Sequence, residues 1–367
     1  MGDGKSFPRL ILRVVVGIIR MSASSPFRQT GLGFAIWLVC SHFSSAADLQ
    51  RFSETQPHMG VEFEVVLYAA NEPAAKTAIE AAFQRIAELD TRLSDYSLSS
   101  ELSKLSATAP TTEPVPLSDD LFTLLHASQQ LAAESAGAFD ITIGPLSKLW
   151  RRARRQKELP DADLLKKAHA AVGFQNLQLD AVKKTASLSR AEMRLDLGGI
   201  AKGYAVDQAL AVLVQKGFKQ SLVRASGDIA AANPPPNEAG WKVGLAPLHP
   251  DDPPTVFVSL RQQAISTSGE ARQHLVVNGR RYSHLIDPRS GQPLHGRMSI
   301  TVIAPRGIHA DSLASAVAVL GPEKGLKLLA GRMGVSAYVL TADDDGQNVR
   351  HTATPNFRPL PPTGERR

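Results

Sequence analysis

Met193-Arg194-Leu195-Asp196-Leu197-Gly198-Gly199-Ile200-Ala201-Lys202-Gly203-Tyr204-Ala205-Val206-Asp207 is the stretch around which the chain is organised. An apolar strand end runs into three glycines and a lysine, and Val206, Leu210 and Leu213 then recur at helical spacing. Glycine lets the backbone approach a ligand closely. Free N–H groups at a helix start favour negative charge. Lys202 would add a mobile cation, and Asp196 can accept hydrogen bonds from a sugar or a base. The run fits neither the dinucleotide fingerprint G-x-G-x-x-G nor the P-loop G-x-x-x-x-G-K-[ST]. On these residues alone two readings stand: a phosphate-binding turn, or a strand-to-helix turn whose glycines serve packing.

Outward from this turn the chain alternates short strands with amphipathic helices. Upstream, residues 61–65 alternate as a half-buried strand does. Pro73 opens a helix carrying Ile79, Phe83, Ile86, Leu89 and Leu93. The loop Ser94-Asp95-Tyr96-Ser97 follows, then a short helix capped by Ser99 or Ser100. Ser118 caps another helix, which Gly137 stops. Residues 138–143 read as extended up to Gly144-Pro145. Residues 148–157 are strongly basic and read as an exposed surface helix or hinge in preference to an anion site. Downstream, residues 221–225 form a strand leading to Ser226-Gly227-Asp228, and short strands surround Trp241, Phe257 and Ile265. A buried strand at 298–304 precedes a helix from about Ala310, a further helix from Pro322 and a closing strand at 335–340. The pattern predicts a mixed α/β domain over residues 48–345. The tail, 346–367, is expected to be disordered towards its Pro- and Arg-rich end.

With 367 residues, 43% hydrophobic and 21% charged, the chain suits an α/β protein with a sizeable core. Its formal charge of +6 is concentrated at the N-terminus: residues 1–47 carry five cations against Asp3, a net +4, leaving +2 for the rest. So small a charge gives nucleic-acid binding no support. The apolar run at 31–40, preceded by Arg28 and followed by Ser44-Ser45-Ala46-Ala47, reads as a secretory leader cleaved before Asp48, with Met21 the better start. An uncleaved anchor and a lipoprotein box at Leu38-Val39-Cys40 are the alternatives, though Val39 stands where a small residue is expected. The expected location is periplasmic or exported, with an inner-membrane tether left open. Cys40 is the only cysteine, so cleavage would exclude thiolate chemistry from the mature chain.

Two further sites can carry chemistry. Asp311 and Ser315 lie four apart on the last long helix and project from one face. A carboxylate beside a hydroxyl suits a hard cation such as Mg²⁺; equally, an Asp near a helix start serves as a cap. His284 is either a general base or a sheet-edge histidine bonded to a carbonyl.

Asp-Leu-Gly-Gly-Ile-Ala-Lys-Gly-Tyr-Ala at 196–205, Ala-Phe-Asp at 138–140, His-Leu-Ile-Asp-Pro at 284–288 and Ala-Asp-Ser-Leu-Ala-Ser at 310–315 occur together in this order. In this the chain resembles the ApbE family of FAD:protein FMN transferases, once described as thiamine-biosynthesis lipoproteins, from about Met59 to Leu340. The resemblance implies an exported, Mg²⁺-dependent enzyme of mixed sheets flanked by helices, with FAD in a cleft between lobes. Such an enzyme splits FAD, releases AMP and attaches FMN through a phosphoester to a Thr or Ser of a target flavoprotein, a membrane or periplasmic redox subunit bearing an Asp…Ser/Thr-Gly-Ala-Ser/Thr-type motif. It further implies flavin or FAD contacts at Met59, Tyr96, Ala138, Phe139, Asp140, Asp196, Lys202 and Leu285. The metal falls to the Gly199 carbonyl, Asp311 and Ser315, and His284 matches the histidine that helps deprotonate the acceptor hydroxyl. Val61, Ser226 and Ala314 depart from common family residues, the last standing where some members add a metal-binding Asp. Competing readings are an FAD pyrophosphatase using the same site with water, and a non-enzymatic flavin carrier or assembly protein.

Overall fold

Eight strands laid side by side in chain order form the sheet on which the protein is built. They are β1 (Gln50–His58), β2 (Val61–Ala69), β3 (Ser221–Ala225), β4 (Asp228–Ala231), β5 (Gln263–Gly269), β6 (Arg297–Ala304), β7 (Ser336–Ala342) and β8 (Arg350–Ala353), and every neighbouring pair is antiparallel. The computed structural model describes residues 49–249, 251–269, 274–343 and 345–361, and the leader expected at 1–47 lies outside them. Among the described residues seven α-helices fill the connections: α1 (Glu72–Leu93), α2 (Glu101–Ala107), α3 (Asp119–Glu134), α4 (Gly144–Gln156), α5 (Ala162–Ala170), α6 (Ala201–Gln215) and α7 (Gly307–Leu329). The mixed α/β class is as expected, with a wholly antiparallel main sheet.

The sheet is covered on both sides, and strand alternation decides which side chains go where. Phe63, Val65 and Leu67 of β2 join Val223, Ile300 and Val302 in a core shared with α1, α6 and α7. Val66, Leu222, Ile229, Ile265 and Ile303 turn the other way, onto Trp241, Val258, Leu260 and Phe357. A third, smaller cluster holds α4 through Leu146, Trp150 and Ala153 against Leu275 and Ile286.

Strand β1 is absent from the sequence reading because it lies at the sheet edge and buries no side chain fully, so no apolar alternation marks it. Residues 138–143 are turns, linked to the glycine stretch by one bridge between Ile143 and Arg194, and Gly144-Pro145 begins a helix where an extended run was expected to stop. Proline is well placed there, since a first-turn N–H has no intrahelical acceptor. The helix at Pro322 is the continuation of α7 beyond a kink at Gly321 (φ 75°). The expected tail begins inside the fold: β8 pairs with β7, and Phe357 stacks on Tyr338 at 5.2 Å between ring centroids. The Asn356 amide donates to the Val335 carbonyl at 2.9 Å, and one buried aromatic ring thus fastens a Pro-rich segment. Residues 362–367 lie outside the described set.

Helix α7 has no cap from its own sequence, its N-cap being Arg306. Asp207 of α6 takes that part from outside: its carboxylate accepts the Gly307 N–H at 2.6 Å and the Ile308 N–H at 3.1 Å. Loss of a capping carboxylate costs about 1–2 kcal/mol. Asp207→Ala is therefore expected to lower thermal stability by a few degrees in a melting experiment, and an unchanged Tm would dismiss the cap.

Candidate active site

All twelve residues singled out from the sequence line one cleft of about 1060 Å³: Met59, Tyr96, Ala138, Phe139, Asp140, Asp196, Gly199, Lys202, His284, Leu285, Asp311 and Ser315. A volume of that order suits a dinucleotide-sized ligand. Met59 occupies the two-residue hairpin turn between β1 and β2 with φ 49°, its N–H bound to Asp90 at 2.9 Å. Asp140 is buried and accepts from the Thr142 N–H and hydroxyl at 2.8 and 2.7 Å. Burial pushes its carboxyl above the ordinary range against those bonds.

The floor of the cleft is made where α6 meets α7. A Cβ on Gly203 would lie 2.2 Å from the Gly307 carbonyl oxygen, and one on Gly307 2.3 Å from that of Gly203, so the two helices touch backbone to backbone. This contact sets Lys202 beside Asp311. Asp311 is 2% exposed and accepts the Gly203 N–H at 3.0 Å. The Lys202 ammonium lies 2.8 Å from Asp228 and 3.7 Å from Asp311. Burial works against the Lys202 charge, but the Asp228 and Asp311 carboxylates outweigh it and hold the ammonium protonated. The Asp311 carboxyl is pushed up to about 7, by burial first and by the Asp228 charge second, against the pull of Lys202. Lys202 is thus anchored between two carboxylates, a correction to the mobile cation expected.

Ser315, one turn along α7, reaches the glycine turn. A Cβ at Gly199 would come within 2.9 Å of the Ser315 hydroxyl and 3.3 Å of the Phe139 ring, so any larger residue there would fill the space beside Ser315. The Asp311 carboxylate, Ser315 hydroxyl and Gly199 carbonyl are all hard oxygen donors, the set that suits Mg²⁺. Among the described residues no three His, Cys, Asp or Glu side chains gather as a metal cluster, so most remaining ligands would be water or substrate oxygens. The lining also carries six carboxylates (Asp90, Asp95, Asp140, Asp196, Asp228, Asp311) against three cationic side chains (Arg151, Arg154, Lys202). A pyrophosphate dianion would be repelled by that balance unless a cation came with it. The residues fit a divalent ion. The capping role weighed for Asp311 falls away, because α7 starts at Gly307 and Asp207 caps it. Ala314 is fully buried in the main core and lines no part of the cleft.

Towards the mouth, Tyr96 is 74% exposed, with the Arg151 guanidinium 4.6 Å above its ring. Arg151 also pairs with Asp95 and, at 2.8 Å, with Asp196. The other Asp196 oxygen accepts the Gly198 N–H at 2.8 Å, so each already holds one of the hydrogen bonds the sequence assigned to a ligand. Leu285 bonds through its N–H to the Ser283 hydroxyl at 3.0 Å, and His284 beside it faces the cleft.

Asp228, Arg151 and Arg154 were missed as site residues. Asp228 follows the tight turn of Ser226 (φ 55°) and Gly227 between β3 and β4. The Ser266 hydroxyl donates to it at 2.5 Å. No local spacing announces that arrangement. Composition alone predicts surface for the basic stretch, yet one face of α4 lines the cleft.

The family model described as the ApbE family matches residues 59–339. The FAD:protein FMN transferase of Klebsiella pneumoniae is 30% identical over 307 residues, 82% of this chain and 86% of its own. That of Treponema pallidum is 31% identical over 331 residues, 85% of this chain and 91% of its own. Among solved structures, the apo form of Pseudomonas stutzeri flavinyl transferase ApbE superposes with a TM-score of 0.73 at 33% identity, covering 84% of this chain and 95% of that one.

Proposed function

The chain belongs to the ApbE family, and from that premise we infer that it is an FAD:protein FMN transferase, moving FMN from FAD to a hydroxyl of a target flavoprotein and releasing AMP. The observation that carries this most directly is the convergence of four separated stretches of sequence on one cleft with Lys202, Asp311, Ser315 and Gly199 at its floor.

Lys202, fixed by Asp228, offers its ammonium to the pyrophosphate and offsets charge on the oxygen that leaves with AMP. Asp311, Ser315 and the Gly199 carbonyl would hold Mg²⁺, which when bound supplies neutralising charge at the diphosphate. The acceptor oxygen forms a bond to the FMN phosphorus as the bond to the bridging oxygen breaks, and His284 takes the hydroxyl proton. Phe139 and Leu285 provide apolar wall, and Tyr96 an aromatic face at the mouth. Because that mouth is open, water can replace the acceptor, and slow release of FMN and AMP without acceptor is expected.

Export is proposed on the leader sequence, since the apolar run at 31–40 and the small residues after it have the form a signal peptidase cuts. Among the described residues no helix is long and apolar enough to cross a membrane. The targets proposed are membrane or periplasmic flavoproteins of redox complexes.

The function is tested by incubating the protein with FAD, Mg²⁺ and a peptide bearing a Ser/Thr-Gly-Ala-Ser/Thr core. Covalent flavin fluorescence on the peptide is expected. Tight flavin binding with no turnover would leave a carrier in place of an enzyme. His284→Ala should lower the rate of transfer about 10²–10⁴-fold, as loss of a general base does, with FAD affinity little changed. A KM effect on FAD at constant kcat would instead make His284 a binding residue.

A further inference from the structure

Helix α4 presents three faces of different character. Leu146, Trp150 and Ala153 pack inward on Leu275 and Ile286. Ser147, Arg151 and Arg154, spaced by four and three, line the cleft. Lys148, Arg152 and Arg155, with the same spacing, face solvent beside them. Residues 148–157 hold six cationic side chains and no carboxylate. Like charges four apart, as in Lys148 with Arg152 and Arg151 with Arg155, weaken a helix. The helix dipole compensates only in the last turn. Such a strip is not explained by the stability of α4.

Among the described residues only one of these six cations meets a carboxylate. Arg151 is engaged by Asp95 and Asp196. Arg154 makes no hydrogen bond or ion pair among the described residues, and burial together with the Arg151 charge makes its own charge costly. It is the one cleft-lining cation among them without a carboxylate partner. It lies one turn along α4 from Arg151, whose guanidinium covers the exposed Tyr96 ring, and so belongs to the mouth, whereas Lys202 and Asp311 hold the floor where the pyrophosphate belongs.

We propose that Arg154 and the adjoining solvent face of α4 form the docking surface for an acidic segment of the acceptor protein, next to the hydroxyl that receives FMN. The assignment rests on the transferase function proposed above. A protein segment has to enter through this mouth to reach the phosphorus. The lining beyond the mouth carries excess negative charge, so a segment with carboxylates gains on α4 what it loses by approaching the cleft. Its carboxylates would meet Arg154 at the rim while the neutral hydroxyl goes deeper.

The test uses two peptides with the same Asp…Ser/Thr-Gly-Ala-Ser/Thr motif, one flanked outside it by Asp and Glu and one by Asn and Gln. The wild-type protein should label the acidic peptide with a kcat/KM about tenfold higher at low salt. The difference should shrink as ionic strength rises to several hundred millimolar, because rim charges act on encounter. Arg152→Glu with Arg155→Glu should remove the preference and leave acceptor-free release of FMN unchanged. Arg154→Gln should raise KM for the acidic peptide far more than for FAD. Equal labelling of both peptides by the wild type overturns the docking surface and leaves the transferase standing. Arg154→Gln acting mainly on KM for FAD overturns it by giving that residue to the dinucleotide. Loss of binding to phosphatidylglycerol vesicles in the double variant, with peptide preference intact, overturns it in favour of a membrane contact. Absence of both labelling and FAD cleavage fails the transferase function and the docking surface with it.

Discussion

Asp311→Ala is expected to lower FAD cleavage and FMN transfer by about 10³-fold or more while the protein stays folded, since losing a metal-borne charge from the transition state costs several kcal/mol. The variant separates the two duties of this carboxylate. As a structural group it accepts one hydrogen bond, from the Gly203 N–H, and its loss leaves that donor without its partner at a cost of about 1–3 kcal/mol. Against this, Lys202 keeps Asp228 at 2.8 Å, and Asp228 no longer faces a second buried carboxylate. The net change in stability is therefore small. As a ligand, Asp311 is the only carboxylate in the proposed donor set, and the Ser315 hydroxyl and Gly199 carbonyl have no charge with which to replace it. Binding stabilises a fold by RT ln(1 + [L]/Kd), about 2.7 kcal/mol at a hundredfold excess over Kd. Melting the wild type with FAD should show an added rise in Tm on supplying Mg²⁺, and the variant should show none. Chelation should silence the wild type to the level of the variant. An Asp311→Ala protein with wild-type turnover or an undiminished Mg²⁺ shift would refute the metal assignment.

The residues taken by themselves made legible whatever a single window contains, and the other site residues followed from the resemblance of four separated stretches to one family. The glycine turn, the lysine after it and the apolar face of α6 lie within about fifteen residues, and the four-residue step from Asp311 to Ser315 is a property of any helix. Pairings across the fold are another matter. Asp228 and Lys202 are partners through the contact of β4 with α6, and Arg151 meets Asp95 and Asp196 from three separate elements. Asp207 reads as a polar residue on a helix, and only the tertiary structure makes it the cap of another. The basic run of α4 shows a different limit. Composition predicted an exposed helix correctly for Lys148, Arg152 and Arg155, but a helix has more than two sides, and Arg154 points where charge has a use.

The contact that unites these pieces is also the tightest approach of a glycine to backbone among the described residues. Gly203→Ala would place a methyl group 2.2 Å from the Gly307 carbonyl oxygen, 2.6 Å from its carbon and 2.7 Å from the Asp311 Cβ. Two of these three are backbone atoms, so no rotamer change relieves them and α6 must move away from α7. Overpacking of this kind costs typically 1–3 kcal/mol, and here the upper end is expected, a fall in Tm of about 6 °C. Activity should suffer more than stability. Lys202 and the Gly199 carbonyl belong to one side of the contact, Asp311 and Ser315 to the other, and a displacement of about 1 Å between reacting groups can cost 10²-fold. Gly307→Ala should reproduce both losses, because its methyl group would fall 2.3 Å from the Gly203 carbonyl oxygen. Once either substitution has parted the helices, the second meets a gap already opened, so the double variant should lose clearly less than the sum of the two. Additive losses would mean that each glycine serves its own helix, and wild-type activity in Gly203→Ala would mean that the floor of the cleft does not depend on how closely α6 and α7 meet.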